Sequence, residues 1–111
     1  MKKTENDALT LYINALNGMT IAASIMTLGL LCNNVKEDWP EFEKLINVYQ
    51  EFDNSNLKDF HNRKNLSDRT LNTGKLFLQE LRNFKFHPNA QNKDIQEIID
   101  NTIETTELVL S

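Results

Sequence analysis

Residues 8–35 read ALTLYINALNGMTIAASIMTLGLLCNNV, a stretch without a charged side chain in a protein of 111 residues. Its apolar residues recur every three or four positions, which is the spacing of one helix face. The stripe consists of Leu9, Ile13, Leu16, Thr20, Ala23, Thr27 and Leu30, flanked by Tyr12, Met19, Met26 and Leu31. This pattern predicts a long first helix from Glu5 to Leu31. A helix that is apolar on most sides either lies at the centre of its bundle or crosses a membrane.

Polar and helix-weakening residues interrupt this stretch and favour the first alternative. They are Asn14, Asn17, Gly18, Ser24 and Gly29. Glu5 and Asp7 also lie where a secretory leader would be purely basic. We therefore expect no membrane insertion and predict a buried helix that also lines a dimer interface. The small residues Ala22–Ser24 would allow another helix to approach closely.

Three further helices follow from periodicity and capping signals. The second is expected to start near Asp38, with Pro40 in its first turn, where a missing amide hydrogen does no harm. The polar run Asp53–Asn56 is typical of a loop. Leu57–Asn65 fits either a short helix or an irregular connection.

Ser67 can cap a third helix that ends around Phe86. Gly74 lies inside its apolar stripe, so we expect close contact there with the first helix. Asp94 and Glu97 resemble the capping box of a fourth helix. The sequence therefore predicts one domain over residues 1–111, an all-α, up-and-down bundle of four main helices with room for a short fifth.

Charge and composition exclude several classes of protein. The formal net charge of −4 argues against a protein that coats nucleic acid over its whole surface. Cys32 is the sole cysteine, so an internal disulfide is excluded and a cytoplasmic, reducing setting fits. The sequence has no Cys/His cluster at metal-ligand spacing and no phosphate-binding glycine loop, so neither a metal nor a nucleotide cofactor is expected.

Cations are nevertheless concentrated between Lys58 and Lys85. They are Lys58, Arg63, Lys64, Arg69, Lys75, Arg82 and Lys85, against the acids Asp59, Asp68 and Glu80. Such an asymmetry predicts either a local anion-facing surface or an ordinary solvated helix face. The fourth helix is the opposite case, because its outer residues Glu97, Asp100, Glu104 and Glu107 are acidic and are expected to face solvent.

The stretch Arg82-Asn83-Phe84-Lys85-Phe86-His87-Pro88 combines a planar cation, an amide and a histidine near a helix end. On one uninterrupted helix, residues five apart point about 140° away from each other. Pro88 disfavours helical geometry for His87, so a helix that stops there could bring Arg82 and His87 to one concave surface. The alternative is structural. Arg82 would then pair with Glu80 or with an acid of another helix, and Asn83 and His87 would cap a helix end.

This motif resembles the signature of the HEPN family, which is an arginine followed after four to six residues by a histidine, often with a polar residue such as Asn83 after the arginine. The resemblance implies a small helical protein and a metal-independent endoribonuclease that works as a homodimer. Members of this kind often act in toxin–antitoxin systems or in phage defence. Members paired with a nucleotidyltransferase antitoxin often carry a tyrosine two residues after the histidine, where this chain has Asn89.

The resemblance implies catalytic roles for Arg82, Asn83 and His87. RNA cleavage without a metal requires a proton carrier, here His87, and a cation that stabilises charge on the phosphate, here Arg82. Lys85, Lys75 and Arg69 are predicted to hold the RNA backbone. The expected partners are RNA, a second copy of the chain, and an antitoxin or regulatory protein.

Two alternatives remain open at this point. One is a non-catalytic helical module that binds RNA or a partner protein through the basic face. The other is a small acidic immunity or inhibitor protein that acts through its fourth helix.

Overall fold

The computed structural model describes residues 3–35, 40–62 and 66–110, and these ranges contain helices and no strand. Helix α1 spans Lys3–Val35, α2 spans Pro40–His61, α3 spans Asp68–Lys85 and α4 spans Lys93–Leu110. A single 3-10 turn, Pro88–Ala90, lies between α3 and α4. The prediction of an all-α bundle of four main helices is confirmed.

The four helices form a ring in which each packs against two others. α1 contacts α2 and α4, and α3 contacts the same two helices from the opposite side. α1 and α3 are therefore diagonal to each other. At about 1.5 Å per residue, the 33 residues of α1 account for the longest dimension of the molecule, 51 Å.

The core lies on the axis of this ring. Its fully buried large side chains come from all four helices: Ile21, Leu28, Leu45, Phe52, Phe77, Leu81, Ile95, Ile99 and Val109. Phe52 and Phe77 stack with their ring centroids 5.8 Å apart, which joins α2 to α3. Removing these surfaces from water, at roughly 25 cal/mol per Å², is the main force that holds the bundle together.

Two predicted helix boundaries are wrong. α1 continues beyond Leu31 to Val35, and the predicted loop Asp53–Asn56 lies inside α2. Asp53–Asn56 is helical because Ser55 and Asn56 are buried against the rest of the bundle, and the Ser55 hydroxyl lies 2.6 Å from the Thr70 hydroxyl of α3. Tertiary contact thus overrides the turn preference of these polar residues. Asp38, the expected start of the second helix, lies outside the described residues.

The segment Leu57–Asn65 is helical as far as His61, and residues 63–65 lie outside the described part of the chain. The described residues show no separate fifth α-helix. The Ser67 cap is confirmed, since its side chain accepts a hydrogen bond from the Thr70 amide.

Two close contacts differ from those expected. The side chain that accepts from the first amides of α4 belongs to Asn92, which is 2.8 Å from the Asp94 amide, so Asp94 is not the cap. The sequence predicts close contact between Gly74 and the first helix, whereas the nearest neighbours of Gly74 belong to α4 and α2. A Cβ at Gly74 would lie 2.6 Å from Leu110 of α4 and 3.0 Å from Phe52 of α2.

Candidate nucleic-acid interface

α3 ends close to the position that Pro88 predicts. Lys85 is its last helical residue, and the His87 backbone is extended at φ −65° and ψ 137°. The amides of Phe86 and His87 donate to the carbonyls of Asn83 and Phe84, which closes the helix. The chain then enters the 3-10 turn that begins at Pro88.

His87 lies on the α2 side of α3. Its Nδ1 accepts a hydrogen bond from the Asn89 amide at 3.1 Å, and its Nε2 lies 3.0 Å from the Glu41 carboxylate. Because Nδ1 is an acceptor, Nε2 carries the hydrogen and donates it to Glu41. The ring also stacks on Phe84 with centroids 6.4 Å apart. Neither ring nitrogen can therefore act as a general base toward a ligand until one of these hydrogen bonds is replaced.

Arg82 lies where the solvent side of α3 meets α4, and its side chain is half exposed. Its guanidinium donates to Glu107 at 2.8 Å, and Lys85 pairs with Asp100 in the same way. Both carboxylates are about half exposed, so the acidic face of α4 does reach solvent. Two of its four acids nonetheless neutralise cations of α3.

Arg82 and His87 are therefore not brought to one surface within a single chain, and that expectation is wrong. The physical reason is that α3 remains helical through Lys85. The backbone leaves helical geometry too late to cancel the angle between the two positions. Arg82 pairs with an acid of another helix, which is the structural alternative considered above.

Asn83 and His87 do share a pocket. It has a volume of about 220 Å³, and its described lining consists of Glu41, Lys44, Glu80, Asn83, Phe84 and His87. Arg82 is not part of this lining. The pocket contains the carboxylates of Glu41 and Glu80 beside one lysine, Lys44. Lys44 pairs with Glu80 at 3.5 Å. Two acids in so small a space oppose the entry of a phosphate group.

The other predicted RNA-binding residues lie elsewhere, on the solvent side of α3. Eight exposed residues share this side of the helix: Arg69, Asn72, Lys75, Leu76, Gln79, Arg82, Asn83 and Phe86. Their spacing of three or four residues places them on one helix face. We call these eight residues the α3 outer face. It combines three cations, three amides and two apolar side chains, and the exposed carboxylate of Asp68 borders it in the first turn of α3.

Arg69 and Lys75 are the cations of this face that remain available to a ligand. Neither takes part in an ion pair within the described residues. An open groove of about 400 Å³ continues from the Arg69 end, where it is lined by Glu51, Asn54, Ser55, Lys58 and Arg69. Lys58 adds a further cation beside Glu51.

Phe86 is the main residue of this face that the sequence interpretation missed. Its side chain is 78% exposed, the largest exposure among the apolar residues of α3 and its cap. Asn72 and Gln79 were missed as well. The repeated spacing of residues 69, 72, 76, 79, 83 and 86 could have identified all three, because it selects one helix face.

Four of the six predicted site residues thus lie on the α3 outer face, namely Arg69, Lys75, Arg82 and Asn83. Lys85 faces α4 and His87 faces α2. Among the described residues, no group of three His, Cys, Asp or Glu side chains could hold a metal ion. Comparison of the chain with protein-family models, with curated proteins and with solved structures finds no match.

Proposed function

We propose that this protein binds single-stranded RNA through the α3 outer face. The observation that carries the proposal is the composition of that face: three cations, three amides and an exposed aromatic ring, bordered on this side of α3 by the single carboxylate of Asp68, on a protein whose net charge is −4. A one-sided basic strip on an acidic protein concentrates attraction for an anion at one place.

The kinds of side chain present favour a nucleic-acid strand over a simple anion. Cations and amides such as Arg69, Lys75 and Gln79 can donate to phosphate oxygens along a backbone. The Phe86 ring, exposed beyond the last turn of α3, offers a surface on which an unpaired base can stack. From Arg69 to Phe86 the face is about 26 Å long, which is enough for several contacts in series.

RNA binding is tested by the fluorescence anisotropy of a labelled oligouridine in the presence of a chelator, at several NaCl concentrations. Arg69→Ala and Lys75→Ala should each weaken binding and reduce the slope of log affinity against log salt by about 0.7, the value for one lost phosphate contact on a single strand. Lys93→Ala is the matched control, because it removes an exposed cation at the start of α4 and should leave the slope unchanged.

The aromatic contribution is tested separately. Phe86→Ala should weaken oligouridine binding by roughly ten-fold, since base stacking on an aromatic ring contributes about 1–3 kcal/mol. Phe86→Leu keeps an apolar side chain without the π-face and should be almost as weak. Equal affinity of the parent protein for oligouridine and for a poly-glutamate peptide would contradict the proposal, because a peptide has neither phosphates nor bases.

Metal-independent RNA cleavage is a second candidate function, because Asn83 and His87 line one pocket, although Glu41 and Glu80 in that pocket oppose the entry of a phosphate group. His87 would have to give up both of its hydrogen bonds, because Nε2 can accept the proton of the 2′-hydroxyl only in the tautomer that carries the ring hydrogen on Nδ1. Incubation of total RNA with the parent protein in chelator would then give fragments that His87→Ala and Asn83→Ala do not give. Intact RNA under conditions where oligouridine binds would leave the protein as a binding module and would remove the basis for a toxin or phage-defence role.

A further inference from the structure

The solvent side of α1 is unusually apolar. Seven exposed residues recur at alternating intervals of three and four along it: Leu9, Tyr12, Leu16, Met19, Ala23, Met26 and Leu30. This is the spacing of the a and d positions of a coiled coil. We call these seven residues the α1 seam.

The seam is distinct from the side of α1 that builds the core. Ile21, Ile25, Leu28 and Cys32 are buried between α2 and α4. Ala23 of the seam is two positions from Ile21, or about 200° around the helix, so the two apolar faces are on opposite sides. Folding of one chain therefore buries only one of these two apolar faces.

The hydroxyl groups of the two threonines beside the seam are already hydrogen-bonded within α1. The hydroxyls of Thr20 and Thr27 donate to the carbonyls of Leu16 and Ala23, at 3.1 Å and 3.0 Å. Their methyl groups can thus join an apolar contact without leaving an unpaired donor. Because residues 8–35 carry no charge, a second copy of the same helix would bring no like charges together.

The exposed area is large enough for a stable dimer. Leu9, Tyr12, Ile13, Leu16, Met19, Met26 and Leu30 are each between 44% and 72% exposed. Together they offer on the order of 800 Å² of apolar surface, which is about what one partner contributes to a specific protein–protein interface. The largest apolar patch on an ordinary monomer is smaller, about 300–600 Å².

We infer that α1 pairs with α1 of a second copy along this seam, in an antiparallel two-fold dimer. A two-fold axis near Met19 lets one continuous stripe meet itself over about 32 Å of helix. The antiparallel orientation also places the positive end of each helix dipole beside the negative end of its partner.

A lipid bilayer is the competing occupant. Leu9–Cys32 is long and apolar enough to cross a membrane by length and composition, with 22% of it buried in the bundle. Insertion would have to pull Ile21 and Leu28, which are almost fully buried, away from α2 and α4. The charged outer faces of those helices cannot follow α1 into hydrocarbon, so the bundle would have to come apart.

The dimer has a consequence for the surfaces described above. α3 is diagonal to α1, so pairing through α1 leaves the two α3 outer faces on the far sides of the dimer. Two copies would therefore present two separate basic faces, and their Arg82 and His87 side chains would not meet. The dimer itself is independent of RNA binding and is measured without RNA.

The oligomeric state is tested by light scattering after size-exclusion chromatography. The parent protein should have twice the mass of the 12.9 kDa chain. Met19→Glu should give a monomer with unchanged helical circular dichroism, since this residue is 69% exposed in one chain and the substitution brings two like charges to the dyad. Leu76→Glu, on the exposed side of α3, is the matched control and should remain dimeric.

Cysteine cross-linking tests the orientation and does not depend on a destabilised variant. Met19→Cys should form a covalent dimer with a short bis-maleimide linker. Leu30→Cys should not, because its two copies would be roughly 30 Å apart in an antiparallel pair. The native thiol of Cys32 should not react with the linker, since burial raises the pKa of Cys32 to about 11 and keeps the thiol protonated.

Three results would overturn this inference. They are a parent protein that is monomeric at micromolar concentration, a Leu30→Cys variant that cross-links as readily as Met19→Cys, and co-sedimentation of the folded parent with phosphatidylcholine vesicles that Met19→Glu abolishes. In the last case α1 would be a membrane-binding element and the RNA measurements would still stand.

Discussion

The carboxylate of Asp59 in α2 lies 2.5 Å from the hydroxyl of Thr70 in α3, and both residues are buried. The same carboxylate oxygen accepts from the amide and the hydroxyl of Ser67, at 2.9 Å and 3.1 Å. One side chain of α2 thus holds the cap of α3, across the connection that contains residues 63–65. A buried carboxylate is stable in such a place only because several donors surround it.

Replacement of Asp59 by alanine should lower the free energy of unfolding by about 2–3 kcal/mol, because it leaves three buried or half-buried donors without an acceptor. Urea denaturation followed by circular dichroism measures the change. Glu104→Ala removes an exposed carboxylate from α4 and should cost less than about 0.5 kcal/mol. Equal losses in the two variants would show that the Asp59 network is not what stabilises the α2–α3 connection.

Gly74→Ala should destabilise the protein by about 1 kcal/mol, although alanine is the better helix former by a similar amount. The added methyl group would lie 2.6 Å from Leu110 and 3.0 Å from the buried ring of Phe52. Shortening of Leu110 to alanine should make the same substitution less costly. The comparison is a double-mutant cycle on thermal unfolding, and a coupling free energy of zero would contradict the packing described for this position.

Acidic pH should reduce the difference in stability between Asp53→Asn and the parent protein. Burial raises the pKa of Asp53, so the folded protein retains this proton to higher pH than the unfolded chain does. The protonated carboxyl favours the fold, and this contribution is lost as pH rises through the folded pKa. Asp53→Asn should therefore be more stable than the parent at neutral pH, and the gap should close on acidification.

The measurement is urea denaturation of the parent and of Asp53→Asn at several pH values from neutral to acidic. Glu104→Gln is the control for the loss of one negative charge. A gap that widens on acidification would reverse the sign and would mean that ionised Asp53 stabilises the fold.

Arg82→Ala should lower the free energy of unfolding by less than about 1 kcal/mol. Both Arg82 and Glu107 have side chains that are 53% exposed, and solvent screens such a pair. This matters for the functional tests, because any loss of RNA binding in Arg82→Ala can then be attributed to the ligand contact. A loss of several kcal/mol would instead assign Arg82 a structural role between α3 and α4.

The helices of this protein could largely be predicted from its sequence. The uncharged stretch of α1, the Ser67 cap and Pro88 all act over a few neighbouring residues, so their effects are visible in the chain itself. The loop predicted at Asp53–Asn56 failed for the opposite reason. Its polar residues favour a turn locally, whereas burial of Ser55 and Asn56 against other helices holds them in α2.

The candidate site was only partly predictable. The concentration of cations in α3 was evident from composition, and four of the predicted residues do share its outer face. The acids of α2 and α4 that pair with His87, Arg82 and Lys85 were not evident, because they are 46, 25 and 15 residues away along the chain.

Sequence alone thus determined that the chain forms four main helices and that α1 is apolar on most sides, since both follow from residue order and side-chain chemistry. Only the tertiary structure decided which side of α1 the bundle covers and which cations are already neutralised. Those outcomes depend on how four helices pack, and a pairing between distant residues has no local signal in the chain.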